Sequence, residues 1–158
     1  MKSRREQLGL LAHPEGGAFR ELYKSTSKVS PADERSQRCA LTHIYFELAG
    51  KEVSRFHRVA SDEIWHLYEG EGVALYQWTE GSDTIERIEL GGVDRPHCHL
   101  IPAGVWQAAA PLGDTVLVGC TVAPGFEFED FLLIDPTGDT AESIRSIDPE
   151  LERFITGI

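Results

Sequence analysis

The sequence predicts an all-β protein, a sandwich or closed barrel of about nine to eleven short strands with helix only near the ends. Segments rich in Val, Ile, Tyr, Phe and Thr recur along the chain, and these residue types favour strands. Clusters of Gly and Pro separate the segments, as turns between short strands do. The chain contains no internal repeat and no apolar run of the roughly 20 residues that a membrane span requires.

Each element follows from its local pattern. A short helix is predicted over residues 3–11, and the segment His13-Pro-Glu-Gly-Gly17 ends it because proline and paired glycines favour a turn. A polar stretch over 25–38 that contains Pro31 is predicted as a loop. In the tail, Asp148 is expected to cap a helix whose first residue is Pro149. Strands are predicted over residues 18–23, 40–48, 54–59, 63–68, 73–79, 84–90, 97–101, 106–109, 115–122 and 127–134.

The length and composition fit one globular domain. The chain has 158 residues, of which 41% are hydrophobic and 26% charged. We expect a single domain over 1–158, with a core over about 7–136 and a helical tail over about 137–158. The N-terminus lacks the apolar stretch of a signal peptide, and the three cysteines form no C-x-x-C pair. These features predict a cytoplasmic protein.

The charge balance excludes some partners. The formal net charge is −11, from 15 Lys and Arg against 26 Asp and Glu. A strongly acidic surface repels phosphate backbones. We therefore expect neither nucleic acid nor a membrane as a partner.

Two stretches stand out in the middle of the chain. The first contains Gly50, His57, Glu63 and Gly70, and the second is Ile101-Pro-Ala-Gly-Val-Trp-Gln107. In this order they resemble the two motifs of the cupin superfamily. The first of these motifs runs from a Gly through a His-x-His pair to a Glu and a closing Gly, and the second reads Pro-x-Gly-x-x-His.

Four segments together narrow the resemblance. They cover about residues 7–136 and are similar to those of a small cupin family whose members are largely of unknown function. The resemblance implies a cupin jelly-roll barrel, or double-stranded β-helix, usually a homodimer, with a small-molecule pocket in the barrel mouth. The segments are His13-Pro-Glu-Gly-Gly17, Ser61-Asp-Glu-Ile-Trp-His66, Pro102-x-Gly-x-Trp-Gln107 and Val122-Ala-Pro-Gly-Phe-x-Phe-x-Asp-Phe131.

The sequence departs from the metal-binding members of the superfamily at two positions. Those members use two His and a Glu from the first motif and a His from the second. Here Val59 and Gln107 stand where the second and last His would be. Valine cannot bind a metal, and an amide oxygen is a weak ligand for transition metals. We expect no cofactor and no tightly held metal; a weakly held divalent metal would use His57, Glu63 and Gln107.

Strand alternation predicts which side chains face the pocket. Side chains on a strand point alternately to its two faces, so Glu63 and Trp65 are expected to point inward together. The predicted pocket contains His57, Glu63, Trp65 and Gln107, with Val59 as an apolar wall. An aromatic wall with a few convergent polar groups is typical of a small-molecule site.

The favoured function is acid–base catalysis without a metal. An imidazole titrates near neutral pH, so His57 is predicted as the base of an isomerase or epimerase and Glu63 as its partner. The barrel also resembles that of metal-free sugar-nucleotide epimerases, in which a His works beside a Tyr. Tyr45, Tyr68 and Tyr76 are open candidates for that Tyr, and the expected ligand is a small polar, sugar- or nucleotide-like molecule.

Three more residues complete the predicted site. Paired glycines allow close backbone approach, so Glu15 and Arg20 beside them are expected to reach the ligand or a partner subunit. Asp130 follows an alternating Phe pattern and needs a polar partner on that face. The ligand-binding prediction is therefore Glu15, Arg20, Tyr45, Trp65, Gln107 and Asp130.

Two alternatives remain open. One is a metal-dependent oxygenase or lyase in which His57 and Glu63 are ligands. The other is a non-catalytic ligand-binding module.

Overall fold

A computed structural model describes all residues, 1–158. It confirms the all-β prediction, because strands dominate and the helices are few and short. In chain order the strands are β1 (Leu11–Ala12), β2 (Ala18–Lys24), β3 (Lys28–Val29), β4 (Arg38–Cys39), β5 (Thr42–Ala49), β6 (Ser54–Val59), β7 (Asp62–Glu69), β8 (Val73–Trp78), β9 (Glu86–Leu90), β10 (Cys98–Ile101), β11 (Trp106–Pro111), β12 (Thr115–Ala123) and β13 (Phe131–Leu133).

Two antiparallel sheets form the jelly roll. The larger sheet has six strands in the order β1-β2-β5-β12-β7-β10, and the smaller has five in the order β13-β6-β11-β8-β9. The short strands β3 and β4 pair with each other across the stretch predicted as a loop over 25–38, so part of that stretch is strand. Neighbours in the sheets come from distant parts of the chain, so residues far apart in sequence meet inside the barrel.

Alternation along the strands builds two cores. One face of the smaller sheet packs against the larger sheet around Phe46, Trp65 and Leu75. Its opposite face presents Phe56 and Trp106, which pack against the C-terminal helices. The smaller sheet is therefore buried on both faces.

The helices lie at the two ends of the chain, as predicted. Helix α1 (Arg4–Leu8) begins with a capping box formed by Ser3 and Glu6. Helices α2 (Asp139–Ile147) and α3 (Glu152–Thr156) form the tail, with a 3₁₀ turn over Pro149–Leu151 between them. The Asp148 side chain accepts a hydrogen bond from the Glu150 N–H, which confirms its predicted capping role. None of these helices has the length and hydropathy that a membrane-spanning helix needs.

The strand predicted over 127–134 is wrong in its first half. Residues Phe128–Asp130 form a 3₁₀ turn, and only Phe131–Leu133 pair with β6. The Phe126 N–H donates to the Thr42 side-chain hydroxyl at 3.0 Å rather than to a backbone carbonyl of a neighbouring strand. Buried ion pairs also hold the Asp130 carboxylate, so the chain bends before β13 begins.

Two glycines allow the segment after β1 to pack closely against the barrel. Gly16 has φ +115°, and a Cβ on it would lie 2.1 Å from the Val53 carbonyl oxygen. Gly17 has φ +70°, and a Cβ there would lie 2.6 Å from the Glu47 carbonyl oxygen. Only glycine tolerates both the positive φ and the close approach. This contact with the strands carries Glu15 into the barrel.

Candidate functional site

A cavity of about 120 Å³ opens at one end of the barrel. Its floor is polar, its walls are mostly aromatic and aliphatic, and its mouth carries both phenyl rings and charged groups. The volume is close to the roughly 150 Å³ of an engineered protein cavity that binds benzene. The lining residues are His13, Glu15, Phe19, Glu21, Lys24, Thr42, Ile44, His57, Val59, Glu63, Cys120, Val122, Phe126, Glu127, Phe128 and Phe131.

His57 lies on β6 at the cavity floor, with 2% of its surface exposed. Its Nδ1 lies 2.7 Å from the Arg55 carbonyl oxygen. A carbonyl only accepts hydrogen bonds, so Nδ1 carries a proton and donates it there. The other ring nitrogen, Nε2, lies 3.1 Å from Glu15 Oε2. Both nitrogens of His57 therefore have partners.

Glu15 is a buried carboxyl that shares one proton with His57. Its Oε1 accepts a hydrogen bond from the Ser54 hydroxyl at 2.9 Å. Burial raises the pKa of Glu15, and burial lowers the pKa of His57. Both directions favour the neutral forms, because removing charges from water is costly. The Glu15 Oε2–H then donates to His57 Nε2.

Glu63 on β7 is the second acid of the floor. Its Oε1 accepts from the Gln107 side-chain N–H at 2.8 Å, and Gln107 Oε1 accepts from the Trp65 indole N–H at 2.7 Å. Burial raises the pKa of Glu63 to about 7, although the nearby His57 acts in the opposite direction. Glu63 therefore gains or loses a proton near neutral pH, which is the range in which general acid–base catalysis is most effective.

Cys120 on β12 completes the floor. Burial raises the pKa of its thiol well above the ordinary value, and the carboxyl of Glu63 adds to the shift. A buried thiol of this kind stays protonated and is a poor nucleophile. It acts as a weak hydrogen-bond donor to Glu63.

The mouth of the cavity combines phenyl rings with charged groups. Phe126, Phe128 and Phe131 pack edge to face with ring centroids 5.0 to 6.1 Å apart. The Lys24 ammonium pairs with Glu127 at 3.2 Å. Lys24 is the only Lys or Arg among the lining residues, whereas four of them are glutamates.

The predicted site residues divide into three groups by position. His57, Glu63, Glu15 and Val59 line the cavity together. Trp65 and Gln107 do not line it, although they were predicted to contact the ligand. They lie behind Glu63 in the inter-sheet core and hold its carboxyl in place.

The structure does not bring the other three predicted residues to the cavity. Arg20 is exposed and donates to the Leu8 carbonyl oxygen at 3.1 Å. Tyr45 lies on the outer face of the larger sheet, because Ile44 and Phe46 on either side of it point inward. Asp130 is held in ion pairs with the guanidinium groups of Arg35 and Arg38.

The sequence interpretation missed several cavity residues. His13 belongs to a segment that was singled out, but it was treated only as part of a turn. Its short distance in sequence from Glu15 was the available signal. Lys24 and Cys120 gave no signal, because a lone Lys after a strand and a buried Cys are both ordinary.

The residues do not fit a cupin metal centre. No group of three or more His, Cys, Asp or Glu side chains is arranged to hold a metal ion. The Gln107 amide uses its oxygen on Trp65 and its N–H on Glu63. Glu15 also lies at His57 Nε2, the nitrogen that would have to face a metal. The predicted ligand set of His57, Glu63 and Gln107 is therefore not preformed.

A jelly roll of two antiparallel sheets with a polar-floored cavity at one end defines a cupin barrel. The chain belongs to the Cupin_5 family, described as Cupin superfamily (DUF985), whose model matches residues 5–134. A comparison with curated proteins found no match.

Solved structures share this fold. A hypothetical protein from Leishmania major is 25% identical with a TM-score of 0.80, and the match covers 98% of this chain and 95% of that one. A protein from Shewanella oneidensis is 29% identical with a TM-score of 0.79, covering 99% and 96%. A variant of Bacillus subtilis oxalate decarboxylase shares the fold, with 13% identity, a TM-score of 0.61 and coverage of 87% and 34%.

Proposed function

We propose that this protein is a proton-transfer enzyme, an isomerase or epimerase, that acts without a metal on a small molecule bound in the barrel. The observation that carries the proposal is the cavity floor. Two buried acid–base units face one small cavity: Glu63, with a pKa of about 7, and the Glu15–His57 pair, 3.1 Å apart.

The two units divide the roles of base and acid. Near neutral pH part of the protein carries Glu63 as a carboxylate, which takes a proton from a carbon next to a carbonyl group. The Glu15–His57 pair supplies a proton to that carbon, while Glu63 holds the proton it removed. Exchange with water after the turnover then returns a proton to the pair and removes the one on Glu63. Titratable groups held in different environments commonly divide acid and base work in this way. His57, predicted as the base, here holds the proton of Glu15 in position.

The cavity limits the substrate. A volume of about 120 Å³ is below the roughly 300 to 1,000 Å³ of typical drug-sized pockets. One lysine against four glutamates gives no cluster of cations for a phosphate group. These features support a small carbonyl compound with an apolar body, and they do not favour the nucleotide part of the sequence prediction.

Solvent exchange tests the proposal without knowledge of the natural substrate. A panel of small ketones and hydroxyketones is incubated with metal-free protein in D₂O, and loss of the α-proton signal is followed by NMR. The proposal predicts exchange that Glu63→Gln abolishes. Glu150→Gln, a matched change in the exposed tail, should leave exchange unchanged.

The alternatives predict different results. Saturable binding without exchange of any compound would identify a non-catalytic binding module and overturn the proposal. Exchange that appears only after a divalent metal is added would also overturn it, in favour of a metal-dependent enzyme. The homodimer expected from the sequence stays a prediction, which sedimentation equilibrium would test.

A further inference from the structure

One buried imidazole at the cavity has no part in the proton transfer described above. His13 is 6% exposed in its side chain and lines the cavity. Its Nδ1 accepts a hydrogen bond from the Glu15 backbone N–H at 3.2 Å. Since an accepting nitrogen carries no proton, the proton of the neutral ring is on Nε2. Burial lowers the pKa of His13, which keeps the ring neutral.

The Nε2–H of His13 has no partner in the protein. No side chain or carbonyl accepts a hydrogen bond from it. Only Glu47 Oε2 and Trp106 Nε1 are both fully buried and without a hydrogen-bond partner, so His13 Nε2 is not fully buried. The ring lies among Phe19, Phe128 and Phe131, with centroids 4.7 to 6.0 Å away. These phenyl groups line the same cavity as His13, which places the imidazole among them at the cavity wall.

Buried polar groups in proteins are nearly always hydrogen-bonded. A lone donor among phenyl rings is therefore suited to a ligand atom. The matching atom is an acceptor oxygen on an otherwise apolar molecule. A neutral imidazole can also polarise a carbonyl group by such a bond, and it does so without adding charge to a buried site.

We propose that His13 binds the carbonyl oxygen of the substrate through Nε2–H. This inference rests on the proposed function for its role in the reaction, because stabilising the oxygen favours removal of the neighbouring proton by Glu63. It also names the substrate class: a neutral carbonyl compound whose oxygen lies among the phenyl rings of Phe19, Phe128 and Phe131.

Ligand binding tests the inference separately from catalysis. The probes are cyclohexanone and methylenecyclohexane, which have nearly the same shape and differ in the acceptor oxygen. Their dissociation constants are measured by NMR titration for the wild type, His13→Phe and His13→Gln. Phenylalanine removes the donor, whereas glutamine keeps an N–H.

We expect His13→Phe to weaken cyclohexanone binding roughly three- to tenfold more than methylenecyclohexane binding, the effect of one net hydrogen bond. His13→Gln should restore part of this difference. Equal changes for the two probes would overturn the inference. Should His13→Phe fail to fold, ¹⁵N NMR of the wild type decides: a protonated Nε2 that shifts only with cyclohexanone supports the inference, and a protonated Nδ1 contradicts it.

The two proposals can fail independently. Suppose that cyclohexanone binds selectively through His13 but no compound exchanges its proton. This result would support the His13 site and overturn the proposal that the protein is an enzyme. Exchange that depends on Glu63 while His13→Phe binds both probes unchanged would overturn only the role of His13.

Discussion

Glu63 makes the stability of this protein depend on pH in a predictable direction. Its pKa is about 7 in the folded state, against an ordinary value of 4.5. Between these values the folded state binds more protons than the unfolded state, so stability falls as pH rises. The contribution of Glu63 to the free energy of unfolding is favourable at low pH and is lost as pH rises through about 7.

The size of the effect follows from the two pKa values. Each pKa unit corresponds to about 1.4 kcal/mol. Integrated between pH 5 and pH 8, the shift of Glu63 removes about 2 to 3 kcal/mol from the free energy of unfolding. Glu63→Gln imitates the protonated side chain and can still accept the hydrogen bond from Gln107. The variant should therefore lack this pH-dependent loss.

Urea unfolding of the wild type and Glu63→Gln at pH 5, 6, 7 and 8 measures the effect. The difference between the two proteins cancels every other titrating group that the substitution leaves unchanged. We expect the variant to gain about 2 to 3 kcal/mol relative to the wild type from pH 5 to pH 8. A difference that is independent of pH would refute the assignment of a raised pKa to Glu63.

Three further substitutions test the structure around the site. Gly16→Ala places a Cβ 2.1 Å from a carbonyl oxygen and should cost more than about 2 kcal/mol of stability. Gly81→Ala is the control: Gly81 also has a positive φ but lies in open space, so this change should cost about 1 kcal/mol. Phe154→Ala leaves a cavity in the core, because the Phe154 side chain is 1% exposed, and should lower the free energy of unfolding by about 3 to 5 kcal/mol. Val93→Ala on the surface should change the free energy of unfolding by less than about 0.5 kcal/mol. Gln107→Leu removes the acceptor of the Trp65 indole N–H and one of the two donors to the Glu63 carboxyl, so stability should fall by about 1 to 3 kcal/mol. Chemical denaturation measures all of these changes, and a near-neutral Gly16→Ala or Gln107→Leu would contradict the contacts described.

The fold could be predicted because its local signals agree with its long-range packing. Strand β6 was predicted with the bounds it has, Ser54–Val59, since its alternation and flanking turns are clear. His57, Glu63 and the apolar wall at Val59 followed from the first cupin motif and from alternation. These residues lie on regular strands, where the direction of a side chain depends only on its position.

The rest of the site depends on contacts that no local pattern specifies. Glu15 meets His57, 42 residues further along the chain, only because Gly16 and Gly17 let the backbone approach the Val53 and Glu47 carbonyl groups. Tyr45 was assigned to the site because it is a tyrosine, without regard to the face of the sheet to which its side chain points. For Asp130 the sequence offered Arg20 or a barrel-lining amide as the polar partner, whereas the guanidinium that binds it is that of Arg38, 92 residues away.

The proton shared by Glu15 and His57 is the centre of this account, and ¹⁵N NMR of histidine-labelled protein observes it directly. At pH 7 we expect a neutral His57 ring with a protonated Nδ1 and an Nε2 that accepts a hydrogen bond. Glu15→Gln should shift the Nε2 resonance and leave Nδ1 in place, because Nδ1 is bound to the Arg55 carbonyl. A doubly protonated His57 at pH 7, or a neutral ring protonated at Nε2, would contradict the account.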